Sequence, residues 1–304
     1  MTTTALILSV DEAPLLDACL PAIAGQDCEL VVIDNACEDG SAEVAERHGA
    51  RRLLLSERRS YAAAINAGIA GTSCDLVLLL NADCVVRPGF ADALRAALAA
   101  DQTLGSVSPK LLRADAPDTI DTVGIVVTGQ RRNLLVGHGQ PASAYAAGGP
   151  VFGADGAAAL WRRDALMDIA VGAEVLDEDM GLWATESDLA WRAQLRGWGC
   201  AYVPDATATH IRTYSPSTPR AQLRAEHRRL QFRNRLLMIA KNERMPLPWL
   251  LANEAAALGY ALRDRELLGA MRDFAAARPG ARRRRTTIQS RRTAKPPFGL
   301  QPTP

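Results

Sequence analysis

Residues 29–41 read ELVVIDNACEDGS. The run 29–34 is short, apolar and rich in β-branched residues, which predicts a buried strand ending at the carboxylate of Asp34. Asn35 to Gly40 then supplies turn chemistry, and Ser41 stands where it would cap a helix over 40–48. The same rhythm continues on both sides. Upstream, 3–10 (TTALILSV) predicts a strand and 12–24 a helix capped by Asp11, with Pro21 arguing for an early end. Downstream, a strand over 51–56, a helix over 61–70 and a strand over 75–80 (DLVLLL) lead to Asn81-Ala82-Asp83, and Pro88 opens a further helix reaching 100. Alternating strands and helices of this kind predict an α/β fold with a mainly parallel central sheet and helices on both faces. Ligands of such sheets bind beyond the carboxyl ends of the strands. Asp34 and Asp83 both fall at such an end.

The chain has 304 residues, 48% of them hydrophobic and 23% charged, enough to bury a sizeable core and too apolar for a disordered protein. Its strongest apolar run, 76–80, is far below the roughly 20 residues that span a bilayer. The amino terminus lacks the basic-then-apolar pattern of a secretory leader. The six cysteines form no CxxC pair, so they are expected to be reduced, buried and cytoplasmic. The net charge of +1 conceals an asymmetry. Residues 1–215 carry 16 basic against 28 acidic side chains, 216–277 carry 11 against 6, and 278–304 carry 8 against none. An acidic body would repel a phosphate backbone, which argues against a nucleic-acid partner. The expected organisation is a body over 1–215, a basic helical extension over 216–278 and a disordered basic tail over 279–304.

Beyond 104 the pattern loosens into short strands and glycine-rich turns. Helical spacing returns over 186–196, followed by a strand over 200–203, a long basic helix over 219–241 and further helical sequence over 249–277. Each candidate residue has a plain reading beside a chemical one. Asp34 accepts from a base or ribose, or closes a turn. Asn81 and Asp83 hold a hard cation such as Mg²⁺ or Mn²⁺ against a diphosphate, or form an Asx-turn. Glu186 and Asp188, in the first turn of a helix, act as base or ligand, or cap that helix. His210 is a ligand or a core histidine. Neither GxGxxG nor GxxxxGK[ST] occurs, which disfavours dehydrogenase-type dinucleotide binding and P-loop chemistry.

Taken in order, these segments resemble the family 2 glycosyltransferases of the GT-A fold, and within them the rhamnosyltransferase-like branch. The resemblance runs over 3–240, through VVIDNACEDGS (31–41), YAAAINAGIA (61–70), LLLNADCVVRPGF (78–90), VFGADGAAALWRRDAL (151–166), the acidic segment at 177–198, VPDATATH (203–210) and Arg233-Asn234. It implies a GT-A catalytic domain over 1–215 that transfers a sugar, with inversion, from a nucleoside-diphosphate donor such as dTDP-rhamnose. The acceptor would be a hydroxyl of a glycan or lipid-linked molecule in surface or cell-wall polysaccharide synthesis. By the same resemblance Asp34, Asn66 and Asn81 would meet the nucleotide, and Asp83 with His210 would hold Mg²⁺ or Mn²⁺. Glu186 would be the base, with Asp188 beside it. Gly153, Asp155, Gly156, Trp191 and Arg192 would line the sugar and acceptor sites. The chain departs from the family pattern at Asn81 and Glu186, where aspartate is usual, at Thr185, where glutamate is usual, and at Arg58 and Ser60. Two other readings stay open: a catalytically degenerate nucleotide- or glycan-binding scaffold, and a sugar-phosphate nucleotidyltransferase, although the latter needs a glycine-rich basic loop that 8–16 lacks. The basic stretch 216–244 either packs on the body with a solvated basic face or docks peripherally on an anionic membrane surface, and 282–285 either joins it there or is solvated.

Overall fold

The computed structural model describes residues 1–212, 222–246, 248–249 and 265–304. The first half follows the strand–helix alternation: β1 (Thr3–Ser9), α1 (Ala13–Ile23), β2 (Glu29–Asp34), α2 (Ser41–Arg47), β3 (Arg51–Leu54), α3 (Tyr61–Ala70), β4 (Leu76–Asn81), β5 (Cys84–Val86) and α4 (Phe90–Ala100). Six further strands follow: β6 (Leu104–Arg113), β7 (Ala116–Thr122), β8 (Ile125–Val127), β9 (Asn133–Leu135), β10 (Gly149–Val151) and β11 (Ala158–Arg162). Then come α5 (Arg163–Ile169), α6 (Thr185–Arg196), β12 (Gly199–His210), α7 (Ala225–Asn242) and α8 (Arg265–Ser290).

The sheet has ten strands with the main order β10-β12-β6-β11-β4-β1-β2-β3. β4, β1, β2 and β3 pair in parallel, while β11 runs antiparallel to both β4 and β6. β6 and its parallel neighbour β12 therefore point the same way as the first four strands. The result is the expected mainly parallel α/β sheet, and both of its faces are covered. Leu6, Leu8, Val31, Ile33, Val77 and Leu79 face one cluster with α3 and α6; Ala5, Ile7, Val32, Leu76, Leu78 and Leu80 face the other, with α1, α2 and α4. Burial on two faces is why these strands read as continuous apolar runs and not as alternating ones. Each fully buried Leu, Ile or Val contributes about 1.5–3 kcal/mol. Pro21 does not end α1, which runs on to Ile23. The hydrogen bond it forgoes is to the carbonyl of Asp17 on the exposed side, one turn from the helix end, so water replaces it.

The strand expected over 200–203 proves much longer. Between Val203 and Thr207 the register shifts against β6, and the pairing then resumes as far as His210. Pro204, which has no N–H to give, sits in this bulge. The resumed segment pairs with β5, laying His210 opposite Cys84.

The largest correction concerns the carboxyl-terminal tail, expected to be disordered from 279. α8 instead passes through Pro279 and carries the arginine run to Ser290. Arg284 pairs with Glu174 at 2.9 Å and Asp177 at 2.8 Å. Arg285 donates to the carbonyls of Ala240, Lys241, Glu243 and Arg244, the last at 2.6 Å, satisfying the open end of α7. Past α8 the chain crosses the body: Phe298 stacks on Phe152 at 6.0 Å and meets Trp191 edge-on at 5.0 Å. A run of arginines reads as a solvated tail only when no acidic surface faces it, and here the acidic body does.

The same holds for α7, the described core of the basic stretch; Arg220 and the rest of 213–221 lie outside the described residues. Arg229 forms a two-point pair with Asp273 at 2.6 and 2.7 Å. Lys241 is fully buried between Asp177 and Asp188. Lys241 is spent inside the protein and Arg229 on a partly exposed pair, contacts that belong to the packed-helix reading of this stretch. Among the described residues no helix is long and apolar enough to cross a membrane.

Candidate functional site

The carboxyl edge of the sheet gathers carboxylates from five elements. At the end of β2, Asp34 is 1% exposed; its oxygens accept the Cys37 N–H at 2.8 Å and Arg52 Nε at 2.6 Å. It anchors the loop from beneath. Asn35 pins the neighbouring loop, donating to the Arg59 carbonyl at 2.9 Å and accepting the Arg59 N–H at 2.8 Å. Ser41 is not the cap of α2. Gly40 takes that place in a left-handed conformation, and Asp39 accepts the Ala13 N–H at 2.7 Å and the Ser41 N–H at 3.1 Å, serving the starts of α1 and α2 together.

After β4, the Asn81 N–H is given to the Ala157 carbonyl at 2.8 Å, leaving the Asn81 side chain partly exposed at the edge. Asp83 Oδ1 faces His210 Nε2 at 3.3 Å, yet this buried oxygen makes no directed hydrogen bond. Behind His210, Nδ1 contacts Asp121 Oδ2 at 2.8 Å. Asp121, wholly buried, also accepts Arg212 Nε at 2.7 Å and Nη2 at 2.9 Å, and Arg212 reaches on to Asp155 at 3.3 Å. Burial disfavours the imidazolium, but the hydrogen bond to Asp121 and the Asp83 carboxylate beside the ring outweigh it and hold His210 at about 9. Burial likewise opposes the charged form of Asp121, and the His210 and Arg212 hydrogen bonds overcome it, taking its pKa to about 2.

The Asp83 oxygen left without a hydrogen bond and the imidazole nitrogen 3.3 Å from it are donors of the kind a divalent cation takes, once the imidazolium has given up its Nε2 proton. Cys84 lies within the same group of donor atoms, and burial and then the Asp83 charge raise its thiol well above the ordinary value. Asp121 supplies the outer contact that fixes the His210 ring.

Glu186 follows Trp183 and Ala184, both in left-handed backbone (φ 72° and 58°), and lies in the first turn of α6. It is partly buried beside Gly156: a β-carbon placed there would stand 3.7 Å from Glu186 Cβ and 3.5 Å from the Tyr61 hydroxyl. Burial first, and the Asp155 charge second, raise the Glu186 carboxyl to about 7. A carboxyl poised near neutrality at the rim of a polar cleft suits proton abstraction.

The structure separates other expected residues from this cleft. Asp188 is wholly buried, with Oδ2 on Arg192 at 3.0 Å and Oδ1 on Lys241 at 2.9 Å and Asn242 at 2.8 Å; it is an internal ion pair and not an acid beside the base. Arg192 spends its guanidinium on Asp188 and the carbonyls of Ile169 and Val175, and Trp191 is sealed under Phe298. Asn66, expected at the nucleotide, bonds the Leu176 backbone in both directions at 2.8 Å and Glu178 at 3.0 Å. Gly153 permits a close crossing: a β-carbon there would lie 2.3 Å from Ala190 Cβ. Asp155 and Gly156 do border the cleft.

Sequence reading missed Asp121, Arg212, Tyr61 and Glu12. Burial and then the Asp83 charge raise the carboxyl of Glu12, so it too faces this acidic edge. The available signal for Asp121 was an aspartate inside the β-rich run 119–122; Arg212 stands two residues beyond His210.

Comparison with known proteins agrees with this fold. The family model described as "Glycosyl transferase family 2" matches residues 4–169. Among solved structures the chain is similar to GalNAc-T7 with UDP, GalNAc and Mn²⁺ (TM-score 0.61, 13% identity, over 79% of this chain and 48% of that one). It is also similar to the mannosyltransferase PcManGT from Pyrobaculum calidifontis in complex with GDP-Man and Mn²⁺ (TM-score 0.53, 21% identity, over 95% and 84%). A third is TarS of S. aureus (TM-score 0.60, 13% identity, over 96% and 54%). At these identities the likeness is one of fold. A TPR repeat-containing protein of Synechococcus elongatus is 37% identical over 73 residues, 24% of this chain, and the chain spans 18% of its length. The family match ends at 169, so Glu186, His210 and the last two helices lie beyond it.

Proposed function

Because the chain belongs to glycosyl transferase family 2, we propose that it moves a sugar from a nucleoside-diphosphate donor to an acceptor hydroxyl, inverting the anomeric centre, with Glu186 as base. The observation that carries the reading is the pairing of two unlike devices on one sheet edge. One is the unsatisfied Asp83 oxygen facing His210; the other is a carboxyl held near 7 at Glu186. They are linked by Asp121, Arg212 and Asp155.

Asp83 and His210 would hold Mg²⁺ or Mn²⁺, as the Mn²⁺ complexes of the similar structures favour. The bound cation would offset charge on the departing nucleoside diphosphate. Asp34, Asn35 and Asp39 hold the loops on which the nucleotide would rest. Glu186 takes the proton from the acceptor hydroxyl as its oxygen attacks the anomeric carbon from the face opposite the leaving group. Asp155 keeps Glu186 basic and Arg212 limits that effect, a balance that leaves the carboxylate available near neutral pH. The sequence resemblance makes dTDP-rhamnose the donor of first choice, and a glycan or lipid-linked acceptor in polysaccharide assembly its counterpart.

The test is a thermal-shift panel of dTDP, UDP and GDP with and without Mn²⁺. A nucleotide at a hundred times its dissociation constant adds about 2.7 kcal/mol, a visible shift. A shift for one nucleotide that needs Mn²⁺, and that Asp83→Asn abolishes, supports the donor site. Absence of any shift sinks the proposal in favour of a degenerate scaffold.

A further inference from the structure

The loop that delivers Glu186 is held in an unfavourable shape from outside. Gly181, Trp183 and Ala184 all take positive φ (70°, 72° and 58°), and only the glycine does so without steric cost. Such a backbone persists where its surroundings over-determine it. Here the surroundings are α7. Asn234, wholly buried on that helix, shares the two hydrogens of Nδ2 among the carbonyls of Met180 at 2.8 Å, Leu182 at 2.7 Å and Trp183 at 2.9 Å. Its Oδ1 accepts Nε of Arg233 at 2.9 Å, and Arg233 gives Nη2 to the carbonyls of Asp179 at 2.9 Å and Met180 at 3.0 Å. The remaining carbonyl, Gly181, accepts the Ala62 N–H from α3 at 3.0 Å. Every carbonyl from 180 to 183 thus has a donor on another element, and α6 starts two residues later.

We propose that Asn234 is the positioning residue for Glu186, its amide fixing the 180–184 loop so that the first turn of α6 presents the carboxylate to the cleft. This rests on the reading of Glu186 as the base. The body of α6 has separate moorings, because Lys241 and Asn242 hold Asp188 from the same helix α7. Loss of the Asn234 amide therefore frees the loop and leaves α6 seated. An asparagine that merely fills space would, when replaced, lower stability everywhere alike.

The experiment uses the full chain and Asn234→Leu, which keeps the branched shape and removes the donor. Amide exchange is followed by mass spectrometry, and the Glu186 carboxyl is titrated by carbon-13 NMR of glutamate-labelled protein. The expected result is exchange about tenfold faster at 180–186 with the sheet amides unchanged. The Glu186 titration moves down by about one unit as the carboxyl gains water. Affinity for dTDP, UDP or GDP with Mn²⁺ stays at the wild-type value, and turnover of the accepted donor falls about 100-fold. If Asn234→Leu does not fold, Asn234→Ser, which keeps one hydroxyl donor, is read by the same two measures, with smaller changes in the same direction. Unchanged exchange at 180–186 with an unmoved Glu186 titration overturns the proposal, and so does protection lost evenly along the chain. The base assignment fails separately: if Glu186→Gln keeps its turnover while Asn234→Leu behaves as described, the clamp stands and the base does not.

Discussion

Glu186 trades stability for reactivity. Its folded pKa of about 7 exceeds the ordinary glutamate value of 4.5, so the native state favours the protonated form. The stabilisation this gives is complete below 4.5 and is lost as pH rises through 7. Glu186→Gln is neutral at every pH. It should therefore match the wild type at pH 4.5 and exceed it by on the order of 1–3 kcal/mol at pH 8, measured by urea unfolding. Turnover should fall about 10²–10⁴-fold in the same variant, and the wild-type rate should rise with pH along a limb centred near 7. A flat pH profile from 5.5 to 8 would argue against this residue as the base. Asp121→Asn keeps the shape behind His210 and weakens its hold on the ring, so Mn²⁺ affinity by calorimetry should drop about 10–100-fold. Equal affinity in variant and wild type would reduce Asp121 to a partner of Arg212. The sequence marks Asp34, Asp83 and Glu186 because each follows a strand or opens a helix, and His210 through the resemblance of 203–210. It does not separate Glu186 from Asp188, Trp191 and Arg192. α6 is buried nearly all round, so no polar stripe shows which residues face a cleft.

Among the elements, those from β1 to α4, apart from the three-residue β5, are legible in the sequence, because strands with two covered faces and short helices carry strong local patterns. β12 is not, since the proline that marks an apparent end only bulges the strand. The extra length carries His210 to Asp83, so the proposed cation site depends on a feature that local pattern reading discards. The crossing of Gly153 over α6 is equally invisible without the third dimension. Gly153→Ala would drive its methyl against Ala190 Cβ, only 2.3 Å away. The expected loss is about 1–3 kcal/mol in denaturant unfolding, with Mn²⁺ affinity retained. A variant as stable as the wild type would mean that α6 moves aside freely, which conflicts with its anchoring through Asp188.

For the molecule as a whole, opposite charge draws the basic carboxyl-terminal helices onto the acidic body and ties them in by Lys241, Arg284 and Arg285. Charge counts show both partners but not their meeting, because sequence distance hides an ion pair such as Arg284–Glu174. Removing 265–304 should lower unfolding stability by about 5 kcal/mol or more, since it uncovers Phe152 and Trp191 and leaves Asp177 with fewer counter-charges. A dispensable tail would instead leave the melting temperature unchanged.

Phe298 stacks under the Arg131 guanidinium, 3.7 Å from its ring centroid, and Leu300 accepts the Phe152 N–H at 3.1 Å. These late residues close over the helix that bears Glu186. Protein synthesis runs in the other direction: the sheet emerges from the ribosome first and can assemble while the rest is still being made. The helix α6 cannot be sealed until residue 300 has left the exit tunnel. A nascent chain stalled shortly before that point would hold a finished sheet beside a helix still open along the face that Phe298 covers.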